Sequence, residues 1–294
     1  MSTSIRWMRI ALGSAAILGL TAQAQAQADP QQFMFNTGQS IQPFFDGWAH
    51  NPDGSFEFHF GYLNRNYVDE QHIPVGADNH IVGSDADQGQ PDYFYPRKQM
   101  RVFSITVPAD WGDRELVWRV TVGEEIHEAV GWLQPEWEID AIPGIQRVDP
   151  AVLAVNDTPT LSVTGPASAA LGDAVALTVT VSDDGLPPPR VFGGGGQGVL
   201  PTFEPVPGPT VPINVPRAHA RSRHAPTRAE VDGVTVRLKQ MRGPAGARLQ
   251  TDRYAEGGMA TVSGSFAQTG EYLFRVTASD GPATVTEDIT VTVR

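Results

Sequence analysis

The chain contains no cysteine. No disulfide can staple it, no thiolate nucleophile is present, and no lipid can be attached at an N-terminal cysteine. Lysine is nearly absent too: Lys98 and Lys239 stand beside 19 arginines. After residue 20 no apolar run approaches the roughly 20 residues that a membrane-spanning helix needs. No segment carries a convincing 3.6-residue apolar period. Catalytic signatures are missing as well. There is no G-x-S-x-G elbow, and neither lysine has a serine three residues before it. His127-Glu128 lacks the second histidine of a zinc helix. The glycines from Gly193 to Gly198 are followed by no Lys-Ser/Thr, so they do not form a phosphate loop.

What is present begins with an export signal. Arg6 and Arg9 precede the short apolar stretch Ile10 to Leu20. Ala22 to Ala28 then offers overlapping A-x-A cleavage sites. The expectation is a signal peptide over residues 1–28 and a periplasmic or extracellular protein with no membrane insertion after cleavage. Exported domains often lean on disulfides. This one must rely on its cores, which two domains of more than 100 residues can supply.

The formal charge of the whole chain is -12. Residues 29–150 hold 7 basic and 20 acidic groups, whereas residues 151–294 hold 12 and 13. So acidic a first half argues against nucleic acid and anionic membranes as partners. Within the second half, residues 217–253 carry nine basic and three acidic groups. Arg217, Arg221, Arg223 and Arg228 begin this stretch, with His219 and His224. It is either a solvated arm or a partner for an anionic polymer or for the acidic half.

The apolar pattern has a period of two. Asn51-Pro52-Asp53-Gly54 signals a turn, and Phe56, Phe58, Phe60 and Tyr62 alternate behind it. Further strands carry Phe103, Ile105 and Val107; Leu116, Trp118, Val120 and Val122; and residues 126–133. Pro143-Gly144 and Asp149-Pro150 mark a boundary, which gives domains 29–150 and 151–294. The second restarts with Leu161 and Val163, then Val175 to Val181. It continues with Val234, Val236 and Leu238, and three closing strands follow, around Val262, Phe274 and Val291. Regular strand-turn spacing without helices predicts an all-β chain: two antiparallel, immunoglobulin-like β-sandwich domains in tandem. Residues 184–228, rich in Pro and Gly, read as a disordered insertion between the second and third strands of the second sandwich.

Gly270-Glu271-Tyr272-Leu273-Phe274-Arg275-Val276-Thr277-Ala278-Ser279-Asp280-Gly281 resembles the G-x-Y-x-x-x-V-x-A-x-D-G stretch of PKD-like and bacterial immunoglobulin-like domains. Pro159 to Val181 is similar to their first two strands. The resemblance covers residues 157–294 apart from the insertion, and it implies a spacer or a module that binds proteins or polysaccharides. A tryptophan expected on the third strand is absent, with Leu238 near its place, and the W-x-F-G-D-G element is missing. Tyr272, just past a glycine turn, is placed like a tyrosine corner, with a buried ring and a hydroxyl returned to backbone. The first half, with Gly47-Trp48 and Gly61-Tyr62-Leu63-Asn64-Arg65-Asn66, is similar to N-terminal regions of uncharacterised bacterial secreted proteins.

Candidate sites concentrate in residues 64–98, a long stretch without periodicity. Asp85-Ala86-Asp87-Gln88-Gly89 sets two carboxylates two apart before a glycine, so Asp85 and Asp87 are candidate calcium ligands. The alternative is a solvated turn. Tyr93, Phe94 and Tyr95 are the candidate ligand-binding platform, exposed rings that stack on sugars or anchor a protein. His72 and His80 lie among acids without metal-site spacing. The reading is a secreted or periplasmic non-catalytic binding protein, its partner a protein or polysaccharide of the envelope or surroundings. The alternatives are a hydrolase using a pair among Asp69, Glu70, Asp78, Asp85, Asp87 and Asp92, or a structural spacer. A hydrolase requires two of these acids to converge in a pocket.

Overall fold

Alternating side chains make the strands, and glycine turns reverse them. A computed structural model describes residues 35–84, 87–139, 148–188 and 226–294. The export signal, Asp85, Pro143-Gly144 and most of the Pro/Gly-rich insertion lie outside the described residues. Strand β1 (Ile41–His50) and β2 (Phe56–Asn64) form a hairpin across the expected turn. In that turn the Gly54 N–H donates to the Asn51 carbonyl and the Asp53 carboxylate accepts from Ser55. Strand β6 (Arg97–Val107) pairs with the other edge of β2. A second sheet is built from β4 (Asn79–Ile81), β7 (Leu116–Val122) and β8 (Glu125–Gly131). A two-stranded ribbon joins β3 (Gln71–His72) to β5 (Tyr93–Phe94).

The first core lies between the two three-stranded sheets. Phe58 and Phe60 come from one, Trp118 and Val120 from the other, and all four are fully buried. Trp118 takes Phe103 edge-on at 4.9 Å between ring centres. Such pairs add about 0.5–1.5 kcal/mol beyond the area they bury.

After a four-residue helix, α1 (Pro150–Leu153), capped by the Asp149 carboxylate on the Ala151 N–H, the second sandwich begins. One sheet has the order β14 (Arg248–Thr251), β16 (Met259–Ser265), β11 (Val175–Ser182), β9 (Thr160–Thr164). The other runs β10 (Ser168–Ala169), β18 (Thr284–Val293), β17 (Gly270–Ser279), β13 (Val234–Arg242), β12 (Thr227–Val231), β15 (Tyr254–Ala255). Strands β9, β11, β16 and β14 sit as A, B, E and D of an immunoglobulin sandwich, and β13, β17 and β18 as C, F and G.

The tyrosine corner is present: Tyr272 is fully buried and its hydroxyl donates to the Gln268 carbonyl at 2.8 Å. Leu238 occupies the third strand, 2% exposed. The chain departs from the expected plan after residue 226. Instead of leading straight to the third strand, it first forms β12, an added strand between β13 and the short β15. Asp232 (φ +47°) and Gly233 (φ +92°) hairpin it onto β13. Both φ values are positive, as a two-residue I′ turn requires. Asp280-Gly281 opens the four-residue turn of the β17–β18 hairpin, closed by the Asp280 carboxylate on the Ala283 N–H.

Candidate functional site

Residues 64–98 are held by buried amides rather than by a ladder. Asn64, Asn66, Asn79 and Gln90 are all fully buried. Asn64 donates to the carbonyls of Asp69 and Phe94. Asn66 donates to the Gln39 carbonyl and accepts the Gln39 N–H at 2.7 Å. Asn79 donates to the carbonyls of Ile73 and Pro91 and accepts from the Trp118 indole at 2.9 Å. Irregular backbone stays buried only when its polar groups find such partners. The aperiodic stretch is therefore part of the first core.

This placement corrects the aromatic platform. Tyr93, Phe94 and Tyr95 are 2%, 0% and 8% exposed. Phe94 packs edge-on against Tyr62 and stacks on Trp118. Tyr93 and Tyr95 meet edge to face at 4.8 Å. Burial pushes both phenols above the ordinary tyrosine range, and Glu70 adds to the shift. Rings this enclosed offer no face to a ligand. Nothing in their alternation distinguishes them from exposed aromatics, because the second sandwich supplies part of their cover.

The described residues form one compact unit, and the two sandwiches meet within it. Tyr95 accepts the Gln240 N–H through its hydroxyl at 2.8 Å. The Asp92 N–H donates to the Met241 carbonyl at 3.0 Å, and the Asp92 carboxylate accepts the Gly243 N–H at 2.8 Å. The side chain of Glu70 is 6% exposed and takes the Gly246 N–H and the Arg248 guanidinium. Asp87 receives both terminal nitrogens of Arg242, at 2.7 and 2.5 Å. Met241, 1% exposed, belongs to the first core although β13 carries it.

Two expectations bear on this joint. The acidic half does meet basic residues of the 217–253 stretch, through Arg242 and Arg248 of the same chain. Residues 217, 219, 221, 223 and 224 lie outside the described residues. Asp87 is no calcium ligand in this arrangement, because a guanidinium fills its fork. That pairing, above all its hydrogen bonds, lowers the Asp87 carboxyl from its ordinary value.

The acids proposed for hydrolysis are dispersed over other tasks. Asp92 is raised by burial, while Gly243, His72 and Arg242 pull it back. His72 stands 3.5 Å from Asp92, and His80 faces the Gly76 carbonyl at 3.1 Å. Asp78 is exposed. Among the described residues no three His, Asp or Glu gather as a metal site.

An aromatic surface does remain open, elsewhere. Trp137 is 40% exposed and stacks on Phe45 at 5.4 Å and on Trp132 at 6.0 Å. It sits in a 3-10 turn, Pro135–Trp137, pinned to β1: the Trp48 indole donates to the Gln134 carbonyl and the Ile139 N–H to the Trp48 carbonyl. Gly47 lets the turn lie this close, since a Cβ there would stand 2.5 Å from the Trp137 carbonyl. Glu138 and exposed His50 border it, 3.5 Å apart. The composition around Trp132 and Trp137 was readable in the sequence, but their stacking depends on chain closure across β1.

Neither a protein-family model nor a curated protein sequence matches the chain. Solved structures align over most of it at low identity. Domains 4 and 5 of the S-layer protein SbsC align at 10% identity over 87% of this chain and 98% of that one, TM-score 0.25. The D00-D0 domain of Intimin aligns at 12% over 89% and 96%, TM-score 0.25. A longer S-layer structure, rSbsC(31-844), aligns at 11% over 87% of this chain, which spans 28% of it, TM-score 0.25. Superpositions this loose carry no argument about function. The immunoglobulin-like description rests on the strand order of the second sandwich. No described helix is long and apolar enough to cross a membrane.

Proposed function

We propose that this chain is an exported, non-catalytic binding protein that works outside the cytoplasm, its first sandwich presented in a fixed orientation by the second. The carrying observation is the use made of Glu70, Asp87 and Asp92. Each is paired with an N–H or guanidinium of residues 242–248. Carboxyls engaged in this way serve cohesion rather than general acid-base work. Export is supported by the basic, apolar and A-x-A succession in residues 6–28.

The recognition surface is the step formed by Trp132 and Trp137 with its polar border of His50 and Glu138. A half-exposed ring braced by Phe45 and Trp132 is pre-organised, and little side-chain freedom is lost when a ligand arrives. Its partner is a polysaccharide or protein of the cell envelope or surroundings. The test compares wild type with Trp137→Ala on immobilised envelope polysaccharides and envelope proteins, alongside circular dichroism. Retention by wild type and its loss in a folded Trp137→Ala supports the reading. Release of soluble sugar or peptide from the same material, unchanged in Trp137→Ala, overturns it in favour of a hydrolase.

A further inference from the structure

The joint uses only part of the basic stretch of the second sandwich. Arg242 and Arg248 pair with Asp87 and Glu70. Among the described residues, Arg228, Arg237 and Lys239 form no ion pair. Strand alternation gathers them on one face. β13 buries Val234, Val236 and Leu238, so Thr235, Arg237 and Lys239 turn outward. β12 turns out Arg228, and β17 turns out Arg275 and Thr277. Register brings the charges together: Arg228 stands directly opposite Arg237, and Lys239 directly opposite Arg275.

Two cross-strand pairs of like charge therefore lie side by side. Opposite Cβ atoms stand about 4.5–5.5 Å apart, and like charges at that distance destabilise a sheet. Lys239 registers the crowding, since burial first, and then Arg237 and Arg275, lower its ammonium. Among the described residues, this face gives a carboxylate partner to Arg275 alone. Arg275 holds Asp288 of β18 through two bonds of 2.9 Å. Glu230 and Glu271 stand at the borders, opposite Thr235 and Thr292. Arg228 donates to the Thr235 hydroxyl at 3.4 Å.

We propose that this sheet face, through Arg228, Arg237, Lys239 and Arg275, binds an acidic polysaccharide by the carboxylates of its uronic acid units. Asp288 shows the fit, a carboxylate seated on two nitrogens of an arginine in the same patch. Thr277 and Thr286, which continue the row of Arg237, offer hydroxyls to the sugar. A protein partner fits less well. Between β12 and β18 the described face exposes no large apolar side chain, and the centre of a protein interface is apolar. Leu273 turns outward there but packs on the first core. The surface around Trp137 is separate, so either reading can fail without the other.

The test is binding of the full chain to immobilised polygalacturonate, with its fully methyl-esterified form and double-stranded DNA as comparisons. Wild type should be retained by the free acid, and less so as salt is added. The ester keeps the sugars without the charge and should retain nothing. Arg228→Gln combined with Arg237→Gln should weaken retention at least about tenfold. That variant should unfold no earlier than wild type, because a like-charge pair is gone. Should it nevertheless fail to fold, Lys239→Met should weaken retention about threefold. Trp137→Ala should be retained as wild type is. Three results overturn the proposal: no retention of wild type, undiminished retention of a folded double variant, or retention on DNA as strong as on polygalacturonate. Self-association that the double variant abolishes, without retention on polygalacturonate, gives the face to a second copy of the chain instead.

Discussion

The hydroxyl of Tyr95 accepts the Gln240 N–H at 2.8 Å, while the Tyr95 N–H donates to the hydroxyl of Tyr62, also at 2.8 Å. One residue thus links a core ring of β2 to the backbone of β13. Gln240 extends the link, its amide donating to the carbonyls of Gly243 and Pro244. The turn that carries Gly243 and Gly246 to Asp92 and Glu70 is thereby fixed from its own side. Cohesion between the sandwiches rests on buried, satisfied polar groups with Met241 packed among them.

Tyr95→Phe tests that link. It removes an acceptor and leaves the buried Gln240 N–H without a partner, which costs about 1–3 kcal/mol. Urea unfolding should show a lower midpoint. Wild type should unfold in one transition by both near- and far-ultraviolet circular dichroism, because β13 of the second sandwich places Met241 in the first core. Two separated wild-type transitions would contradict the joint as described.

Arg242→Ala should matter far less at neutral pH. Asp87 is 52% exposed at its side chain, and solvent screens the pair to below about 1 kcal/mol. The sign in pH follows from the lowered Asp87 carboxyl. The unfolded chain binds this proton more readily, so the contribution is complete above the ordinary carboxylate value near about 3.9. It disappears as pH falls through the lower folded value. Wild type and variant should differ slightly at pH 7 and converge on acidification, and added salt should shrink the gap.

Lys239 behaves in the opposite way. Burial, with repulsion from Arg237 and Arg275, brings its ammonium down to about 8. Between that value and the ordinary lysine value of about 10.4 the unfolded chain holds more protons, so stability rises with pH across this window. Below it the folded protein carries a poorly solvated charge. Lys239→Met should raise the unfolding midpoint at pH 7 and remove the alkaline rise. An equal pH profile in the two proteins would refute this.

Much of the fold was legible because burial imposes a period of two. Val175, Leu177, Val179 and Val181 read as one inward face and are at most 5% exposed. Tyr272 was legible as a corner because a glycine turn precedes it. The joint was not. Asn64, Asn66, Asn79 and Gln90 look like loop residues, and only their partners, backbone carbonyls far along the chain, reveal them as core. For the same reason Tyr93 to Tyr95 read as a loop platform. Arg242 and Arg248 could be read as positive charge facing an acidic half, but not as the specific partners of Asp87 and Glu70. Strand β12 escaped notice because Thr227 to Val231 carries only Ala229 and Val231 on its buried face.

Gly61 supplies the last prediction. Its backbone is ordinary, but a Cβ there would collide with the Asp46 carboxylate, the Gln99 carbonyl and the Phe44 ring. The first two contacts matter most. Strands β1 and β2 slip register beside Asp46, and β2 and β6 slip beside Gly61. Where β6 slips, Arg101 takes φ +47°, and its N–H donates to the Asp46 carboxylate at 2.6 Å instead of to a ladder carbonyl. A methyl group at position 61 displaces that carboxylate and strips the N–H of its acceptor. Gly61→Ala should therefore lower stability by about 1–3 kcal/mol, well beyond the value of an exposed strand substitution. In an Asp46→Ala background part of that loss should vanish, since the obstructing carboxylate is gone, while the Gln99 carbonyl keeps the remainder. Additive losses in the double variant would show that the two irregularities are not coupled through Asp46.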